Sequence, residues 1–275
     1  MLSPKRIAII GGAGQMGRWF SKFFVGQGCS VVISGRRWSQ CLKARRDLGV
    51  DAKRDHRDAI KGADLIIISV MADRVGTVAR EIGPYVQDGQ TVIDITSVKE
   101  LPVRMMHRYI KHGTVLGVHP MFGPSAEAAG QNMILTPTNG KEARLSSALG
   151  HYLRKRGFRT LVMSPRKHDE MIGAVLSLTH FIGFVTADSW KLLRVQRFSG
   201  SSSTSFRFLM SFVSSIVESS PELYAYLQVS VPSAYGADRL FMLRAKEWGG
   251  LVRSGNKAEL IRRMSGLRRY MKSLH

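Results

Sequence analysis

The sequence has few cysteines and no uninterrupted apolar run of membrane-spanning length. Cys29 and Cys41 are the two cysteines among 275 residues, too few for a disulfide framework and without the spacing of metal ligands. Residues 1–5 lead straight into a predicted strand, so we expect no signal peptide. The most apolar later stretch, residues 172–187, is shorter than the roughly 20 residues that cross a bilayer. We therefore predict reduced cysteines, a cytoplasmic protein, a buried helix over that stretch and no metal site.

Acidic residues are also scarce. The chain has 41 lysines and arginines against 20 aspartates and glutamates, a formal net charge of +21. Such an excess is the electrostatic footprint of nucleic-acid binding, but it also produces a field that gathers small anionic ligands. The basic residues are densest over residues 36–61 and 244–272, and no aromatic residues alternate with them in a recognisable nucleic-acid motif. We predict a small anionic ligand, no specific nucleic acid and no membrane partner.

A glycine-rich turn follows the first apolar run. Residues 6–10 are predicted to form a strand buried on both faces, and aromatic residues follow the turn at helical spacing. The turn matches G-x-G-x-x-G, which between a strand and a helix predicts dinucleotide binding at the helix N-terminus. We expect its three glycines to allow the tight turn, the approach of the pyrophosphate and close helix–strand packing, in that order. The predicted cofactor contacts are Gly12, Gly14, Gln15, Met16 and Gly17, with Val70 at the end of a later strand.

The end of the second predicted strand lacks the acidic residue typical of NAD-binding domains. An aspartate or glutamate about 20 residues after the glycines usually binds the ribose 2′-hydroxyl. This chain has Ser34-Gly35-Arg36-Arg37 there. A carboxylate would repel a 2′-phosphate, whereas a hydroxyl and guanidinium groups can bind one. We therefore predict NADP as the cofactor, bound in part by Ser34, Arg36 and Arg37. The alternative is that both arginines are surface charges of a basic chain.

Strands and helices alternate along the first part of the chain, and only helices follow. Further strands are predicted over residues 64–70, 91–95, 113–118, 132–136 and 159–163, with helices over 74–82 and 141–156. From Pro165 the β-branched runs disappear, and a helix over residues 167–194 and a serine-rich connection over 198–204 are predicted. The predicted fold class is α/β. A Rossmann-type doubly wound, mostly parallel sheet occupies residues 1–164, and an all-helical domain occupies residues 165–275.

One histidine lies at the end of a predicted strand, between glycines and prolines. In Gly117-Val118-His119-Pro120-Met121-Phe122-Gly123-Pro124 the glycines and prolines exclude a helix interior and predict a shaped loop. Open α/β sheets bind their ligands at the carboxyl ends of the strands, so His119 is a candidate site residue. The turn Thr96-Ser97-Val98-Lys99 follows an earlier predicted strand in the same way, and Ser97 is a candidate N-cap of the next helix.

Together with Ser125-Ala126-Glu127, the His119 segment closely resembles the active-site loop of the prephenate/arogenate dehydrogenase family of tyrosine biosynthesis. The resemblance extends from the glycine turn through Leu178-Thr179-His180-Phe181 to the C-terminal helices. It implies oxidative decarboxylation of prephenate, or of its amino analogue arogenate, with hydride transfer to the nicotinamide cofactor. It also implies catalytic roles for His119 and Ser97, substrate binding by His180 and Arg207, and a homodimer formed through the helical domain.

The sequence departs from the family pattern at one position and leaves other functions open. The residue six positions before Pro221, which often carries a carboxylate-binding arginine in the family, is Ser215 here. Arg207 or a basic residue from elsewhere, including a partner subunit, would then bind the carboxylate. Another NADP-dependent oxidoreductase would share the glycine turn without needing His119, and a non-enzymatic NADP-sensing regulator would use the basic surface.

Overall fold

The computed structural model describes residues 4–197, 203–218 and 220–273. The contacts within the chain divide it into two compact units, residues Met1–Ile172 and Gly173–His275. The sequence pattern changes at Pro165, whereas this division falls after Ile172, because the short helix between these two residues packs with the first unit. Most of the predicted connection over residues 198–204 lies outside the described residues.

A single mostly parallel sheet forms the centre of the first unit. Its eight strands in the described residues are β1 (Arg6–Ile10), β2 (Ser30–Ser34), β3 (Asp51–Lys53), β4 (Leu65–Ile68), β5 (Thr91–Asp94), β6 (Thr114–Pro120), β7 (Asn132–Thr136) and β8 (Arg159–Val162). Their order is β3-β2-β1-β4-β5-β6-β7-β8, and every neighbouring pair is parallel except β6 and β7. The predicted Rossmann-type doubly wound sheet is therefore confirmed.

Helices cover both faces of this sheet. They are α1 (Gln15–Gly26), α2 (Trp38–Leu48), α3 (His56–Ile60), α4 (Ala72–Ile82), α5 (Glu100–Tyr109), α6 (Gly140–Arg154) and α7 (Pro165–Ile172). Successive residues of a strand point to opposite faces, so Ile7 and Ile9 pack towards α1, α2 and α6. Ala8 and Ile10 pack towards α3, α4 and α5. Burial of both faces explains why the central strands are continuous apolar runs.

The topology places three segments side by side at the carboxyl ends of the central strands. The strand order reverses between β1 and β4, and open α/β sheets bind ligands beside such a reversal, at the carboxyl ends of the strands. The glycine turn follows β1, the turn with Ser97 follows β5, and His119 is the sixth of the seven residues of β6. His119 pairs with Ile134 of β7, so the predicted loop is a strand up to Pro120. The position of His119 at the carboxyl end of the strand is as predicted.

The described part of the second unit is helical, as predicted. A π-helical turn, Gly173–Ser177, leads into α8 (Leu178–Leu193), followed by α9 (Thr204–Val217), α10 (Pro221–Ser230), α11 (Pro232–Ser254) and α12 (Lys257–Lys272). Two glycines allow close packing. A Cβ atom on Gly173 would lie 2.3 Å from Ser233 Oγ of α11, and one on Gly183 would lie 2.6 Å from Ile216 Cδ1 of α9.

The apolar helix of this unit is less buried than predicted. Of α8, only His180 and Gly183 are buried in the described structure, because α9 and α11 contact part of its circumference. The prediction of a buried helix over residues 172–187 is therefore wrong for this chain alone. The helical segment Pro165–Leu193 is long and apolar enough to cross a membrane by length and composition, and 28% of its most apolar window is buried. A single helix of this kind is weak evidence for a membrane span.

Candidate active site

The glycine turn brings the backbone close to the N-terminus of α1. Gly14 is the N-cap of α1, and its N–H donates to the Gly11 carbonyl at 3.0 Å. The side of Gly14 where a Cβ would stand meets only the Gly11 carbonyl oxygen, at 3.3 Å, so the turn is open to a ligand there. The first N–H groups of a helix have no intrahelical partners and favour an anion. The exposed Gln15 and half-buried Met16 lie at this end of α1.

The structure assigns the steric roles of the glycines differently from the sequence pattern. The tight turn falls on Gly11, which has φ +83° and whose Cβ would lie 2.0 Å from the Ser69 carbonyl oxygen. At Gly12 a Cβ would instead lie 2.5 Å from Ile33 Cγ2. The expected packing role holds for Gly17, where a Cβ would lie 2.4 Å from the Gly11 carbonyl oxygen. Val70, at the neighbouring strand end, borders Gly11.

The end of β2 presents arginines to solvent and a serine to the interior. Ser34 is fully buried, and its hydroxyl lies 2.9 Å from His56 Nδ1. Its carbonyl accepts the Gly11 N–H at 2.7 Å, which ties β2 to the glycine turn. Arg36 and Arg37 are both exposed. The two predicted cofactor arginines are thus accessible to a ligand, whereas the predicted contact through the Ser34 side chain stays untested.

A buried ion pair holds the turn that carries Ser97. Lys99 and Asp94 are fully buried and in contact, and Lys99 Nζ also donates to the Val118 carbonyl at 2.8 Å. The Thr96 hydroxyl donates to Asp94 Oδ1 at 2.6 Å. Burial lowers the pKa of Lys99, and its contact with Asp94 opposes that shift. Because Val118 directly precedes His119, this ion pair links the Ser97 turn to the strand that carries the histidine.

Ser97 is not the N-cap of the following helix. The N-cap of α5 is Lys99, and no side chain of the turn itself caps it. Asp169 of α7 caps the helix instead, because its carboxylate accepts the backbone N–H of Lys99 at 2.7 Å and that of Glu100 at 2.9 Å. Ser97 is partly exposed in the turn, which leaves the predicted catalytic role as the remaining sequence-based explanation for a serine there.

His119 is 4% exposed and belongs to a row of hydrogen-bonded side chains. Its Nδ1 lies 2.8 Å from His168 Nε2, and His168 Nδ1 lies 2.7 Å from Asp169 Oδ1. Burial holds the pKa of His119 well below its usual value, and His168 and Lys99 lower it further. His119 is therefore a neutral imidazole at neutral pH, the form that accepts a proton.

The segment after His119 is held against the helix of the glycine turn. Trp19 of α1 donates its indole N–H to the Ala126 carbonyl at 2.8 Å, and its ring lies 4.8 Å from that of Phe122. The proposed cofactor turn and the His119 segment are thus parts of one packed region of the first unit.

The second unit contains the other predicted substrate residues. His180 on α8 is buried, and its ring lies 4.0 Å from that of Tyr224 of α10. Within the described residues, His180 Nδ1 and the Ser177 hydroxyl are buried without a hydrogen-bond partner. Burial lowers the pKa of His180 to about 4. The carbonyl of Ser177, the last residue of the π-helical turn, accepts from Gln228 Nε2 at 2.8 Å. Such turns are frequent at functional sites.

The two candidate positions for a carboxylate contact lie on α9. Arg207 is exposed, and its Nη2 lies 3.3 Å from Thr204 Oγ1. Ser215 is exposed, and its hydroxyl donates to the Phe212 carbonyl at 2.7 Å. The described residues contain no group of three or more histidine, cysteine, aspartate or glutamate side chains arranged to hold a metal ion.

Comparison with known proteins identifies the family. The family model described as "Prephenate dehydrogenase, nucleotide-binding domain" matches residues 21–164, more than half of the chain. The chain belongs to the prephenate/arogenate dehydrogenase family. The matched residues include Ser97 and His119 and begin after the glycine turn.

Relatives of this family match most of the chain. A Methanocaldococcus jannaschii protein described as a probable arogenate/prephenate dehydrogenase is 31% identical over 266 residues, covering 94% of this chain and 59% of the relative. A 4-amino-4-deoxyprephenate dehydrogenase of Streptomyces pristinaespiralis is 25% identical over 260 residues, covering 92% and 85%. The chain spans 59% and 64% of the length of the first two curated relatives.

Solved structures of family members share the fold. Prephenate dehydrogenase from Aquifex aeolicus, crystallised with hydroxyphenyl propionate and NAD+, superposes with a TM-score of 0.76 at 19% identity and covers 100% of this chain and 99% of that one. Synechocystis arogenate dehydrogenase gives a TM-score of 0.75 at 17% identity, and the match covers 98% of this chain and 100% of that one. At such identities the likeness concerns the fold.

The sequence reasoning missed the residues that surround His119. The sequence pattern places Lys99 in a polar turn, and it places His168 and Asp169 within the helix predicted over residues 167–194 without marking them as site residues. A His-Asp pair at a helix start carries no local signal of its own, because its partners lie about 50 and 70 residues away in the chain. The lysine directly before the helix was a weak signal, since a lysine near a helix N-terminus opposes the helix dipole.

Proposed function

We propose that this chain catalyses the oxidative decarboxylation of prephenate to 4-hydroxyphenylpyruvate with hydride transfer to NADP. One observation carries the proposal. His119 is buried and neutral at the carboxyl end of a strand in a Rossmann-type sheet, and the segment that follows it packs against the helix of the glycine turn. Membership of the prephenate/arogenate dehydrogenase family supports the same reaction.

The glycine turn fits a dinucleotide. The open side of Gly14 and the N-terminus of α1 would receive the pyrophosphate, while Arg36 and Arg37 at the end of β2 would receive a 2′-phosphate. When bound, the oxidised nicotinamide accepts the hydride from C4 of the substrate ring. The net positive charge of the chain favours the encounter with an anionic cofactor and a dianionic substrate.

His119 handles the proton of the reaction. As hydride leaves C4, the C4 hydroxyl becomes a carbonyl and its proton passes to the His119 imidazole. Carbon dioxide then leaves from C1, the electrons of the broken bond make the ring aromatic, and the oxygen at C4 becomes a phenolate. His119 returns the proton to that oxygen, so the cycle consumes no net proton. Ser97 orients the hydroxyl or the imidazole, and His180 and Arg207 bind the substrate.

Steady-state rates with prephenate and with arogenate, each with NADP and with NAD, test this proposal. We expect turnover with prephenate and NADP to have the highest kcat/KM of the four combinations. The relative named for both substrates makes arogenate the second candidate. Absence of turnover with both substrates would contradict the proposed activity.

The cofactor preference rests on Arg36 and Arg37. Changing both to alanine is expected to lower kcat/KM for NADP by roughly 10- to 100-fold, since hydrogen bonds to a charged group contribute about 1.5–3 kcal/mol. The value for NAD, which has no 2′-phosphate, should change by less than about threefold. Changing Arg80 and Arg108, which are exposed on α4 and α5, removes the same charge and should affect both cofactors equally. Equal losses for both cofactors in the Arg36/Arg37 variant would remove the basis for NADP preference.

A homodimer formed through the helical unit accounts for the exposed apolar side chains there. Leu192 on α8 is 78% exposed and Phe208 on α9 is 75% exposed, unusual values for large apolar residues. Analytical ultracentrifugation of the full chain should give about twice the 30.6 kDa chain mass. The Phe208→Glu variant should shift towards the monomer, because it places a charge in the interface. A wild-type monomer at micromolar concentration would contradict the dimer. A cytoplasmic location stays a prediction.

A further inference from the structure

His119 is the first of three buried side chains that form a continuous hydrogen-bonded row. The row runs from His119 Nδ1 to His168 Nε2, over 2.8 Å, and from His168 Nδ1 to Asp169 Oδ1, over 2.7 Å. The two rings are steeply inclined, at 69°, and His168 has no exposed surface. His168 and Asp169 come from α7, whereas His119 comes from β6, so the fold brings these groups together across 49 residues of chain.

At the Asp169 end of the row, the neighbouring groups determine which atoms donate and which accept hydrogen bonds. Asp169 Oδ1 accepts the backbone N–H of Lys99 at 2.7 Å, and Oδ2 accepts that of Glu100 at 2.9 Å. Backbone N–H groups are obligate donors, so both oxygens act as acceptors. His168 Nδ1 lies 2.7 Å from Oδ1, and a carboxylate oxygen has no proton to give, so His168 Nδ1 carries the proton and donates it.

The donor and acceptor roles at Asp169 determine which nitrogen carries the proton in His168, and then in His119. A neutral imidazole has one N–H and one bare nitrogen, so protonated Nδ1 leaves His168 Nε2 as an acceptor. Burial lowers the pKa of His168, against the hydrogen bond to Asp169, so this ring is neutral at neutral pH. The bare His168 Nε2 requires a donor on His119, and only Nδ1 faces it. His119 then has its proton on Nδ1 and its lone pair on Nε2.

We propose that His168 and Asp169 are positioning residues that fix the tautomer of His119, so that Nε2 is the atom that accepts a proton from the substrate. The identity of that proton rests on the proposed function, whereas the tautomer does not. Histidine free in water favours the opposite tautomer, with the proton on Nε2, in which the nitrogen needed as a base is blocked. The row reverses this preference before any substrate binds.

The row also stabilises the charged form that His119 adopts during turnover. When Nε2 takes the hydroxyl proton, the N–H···N bond to His168 becomes charge-assisted and stronger. The negative charge of Asp169 lies one ring further away and favours the imidazolium. The buried Lys99 opposes it, and Asp94 in contact with Lys99 offsets part of that charge. The proton enters and leaves through Nε2, so no proton has to move along the row.

Nuclear magnetic resonance of the full chain labelled with ¹⁵N-histidine tests the tautomer without any turnover. In two-bond ¹H–¹⁵N correlation spectra at pH 7.5, we expect His119 to show a protonated Nδ1 and a bare Nε2. The His119→Asn variant identifies the signals by their loss. A wild-type spectrum with the proton of His119 on Nε2 would overturn the proposal, whatever the kinetics.

Two substitutions at His168 separate positioning from packing. His168→Leu removes the acceptor, and we expect the proton of His119 to move to Nε2 and kcat to fall roughly 10- to 100-fold, as for other groups that orient a functional histidine. KM should change less than about threefold, because the substrate does not touch His168. His168→Gln places a carbonyl oxygen near the position of Nε2 and should restore both the tautomer and most of kcat.

The outcomes separate this proposal from the proposed function. If the wild-type chain has the expected tautomer but turns over neither prephenate nor arogenate, the reaction is wrong and the positioning row stands. If it turns over substrate but His168→Leu keeps the tautomer and kcat, the positioning role is wrong. Urea unfolding of each variant shows whether a loss of kcat reflects a loss of folded protein. If His168→Leu does not fold, the wild-type spectrum and His168→Gln still decide the question.

Discussion

Replacing His119 with asparagine is expected to lower kcat for dehydrogenation by roughly 10²- to 10⁴-fold, the usual effect of removing a general base. Asparagine matches histidine as far as Nδ1, so its amide N–H can still donate to His168 Nε2. What it lacks is a basic nitrogen at the position of Nε2. The variant should therefore keep its fold and its affinity for NADPH, measured by fluorescence titration, while steady-state kinetics show the lost rate.

The control for this substitution is His112→Asn. His112 is an exposed histidine whose ring pairs with the exposed Asp88. Its replacement should leave kcat and KM unchanged, because surface substitutions away from the site have small effects. If His119→Asn retained kcat within about threefold of the wild type, the proton would have another acceptor and the proposed role of His119 would be wrong.

Replacing Lys99 with methionine is expected to lower the free energy of unfolding by about 3–5 kcal/mol, since it leaves the Asp94 carboxylate buried without its cation. Methionine has a similar volume, so the loss reflects charge rather than a cavity. Urea unfolding followed by circular dichroism at neutral pH measures the change. The loss of the Nζ contact to the Val118 carbonyl should also loosen the strand next to His119 and lower kcat.

Two further variants show whether burial is the cause. The exposed pair of Lys61 and Asp58 resembles the Lys99 pair in chemistry but lies in solvent, so Lys61→Ala should lower the free energy of unfolding far less than Lys99→Met does. Adding Asp94→Asn to Lys99→Met removes the unpaired charge and should recover a large part of the lost stability. A cost of Lys99→Met no larger than that of Lys61→Ala would contradict the importance of this pair.

The fold was predictable because its signals are local. The strand over residues 6–10, the glycine turn and the aromatic spacing after it specify a strand–turn–helix unit without reference to the rest of the chain. The seventh strand, Asn132–Thr136, has the predicted bounds, and the second strand ends at Ser34 as predicted. The bounds differ for the predicted strand over 64–70, since the observed strand is Leu65–Ile68, although the backbone N–H groups of Asp64 and Ser69 still donate to Arg6 and Ile10 of β1.

The environment of the site was not predictable, because its contacts join distant parts of the chain. The sequence indicated His119 by its glycines and prolines, but nothing near it shows that α7 supplies its hydrogen-bond partner. The capping role expected of Ser97 fails for the same reason, since the carboxylate that caps α5 comes from Asp169. The predicted burial of α8 was too high. Apolar composition indicates that a helix surface is covered, but it does not indicate whether the same chain covers it.

The attachment of α7 to the sheet unit determines where the chain can be cut. A fragment that ends at residue 164, where the strand pattern stops, would lose Asp169 and His168, and with them the cap of α5 and the partner of His119. A fragment that ends at Ile172 keeps both. Nucleotide affinity and solubility should therefore survive truncation after Ile172 better than truncation after Ser164, so the shortest useful nucleotide-binding fragment ends inside the helical segment that joins the two units.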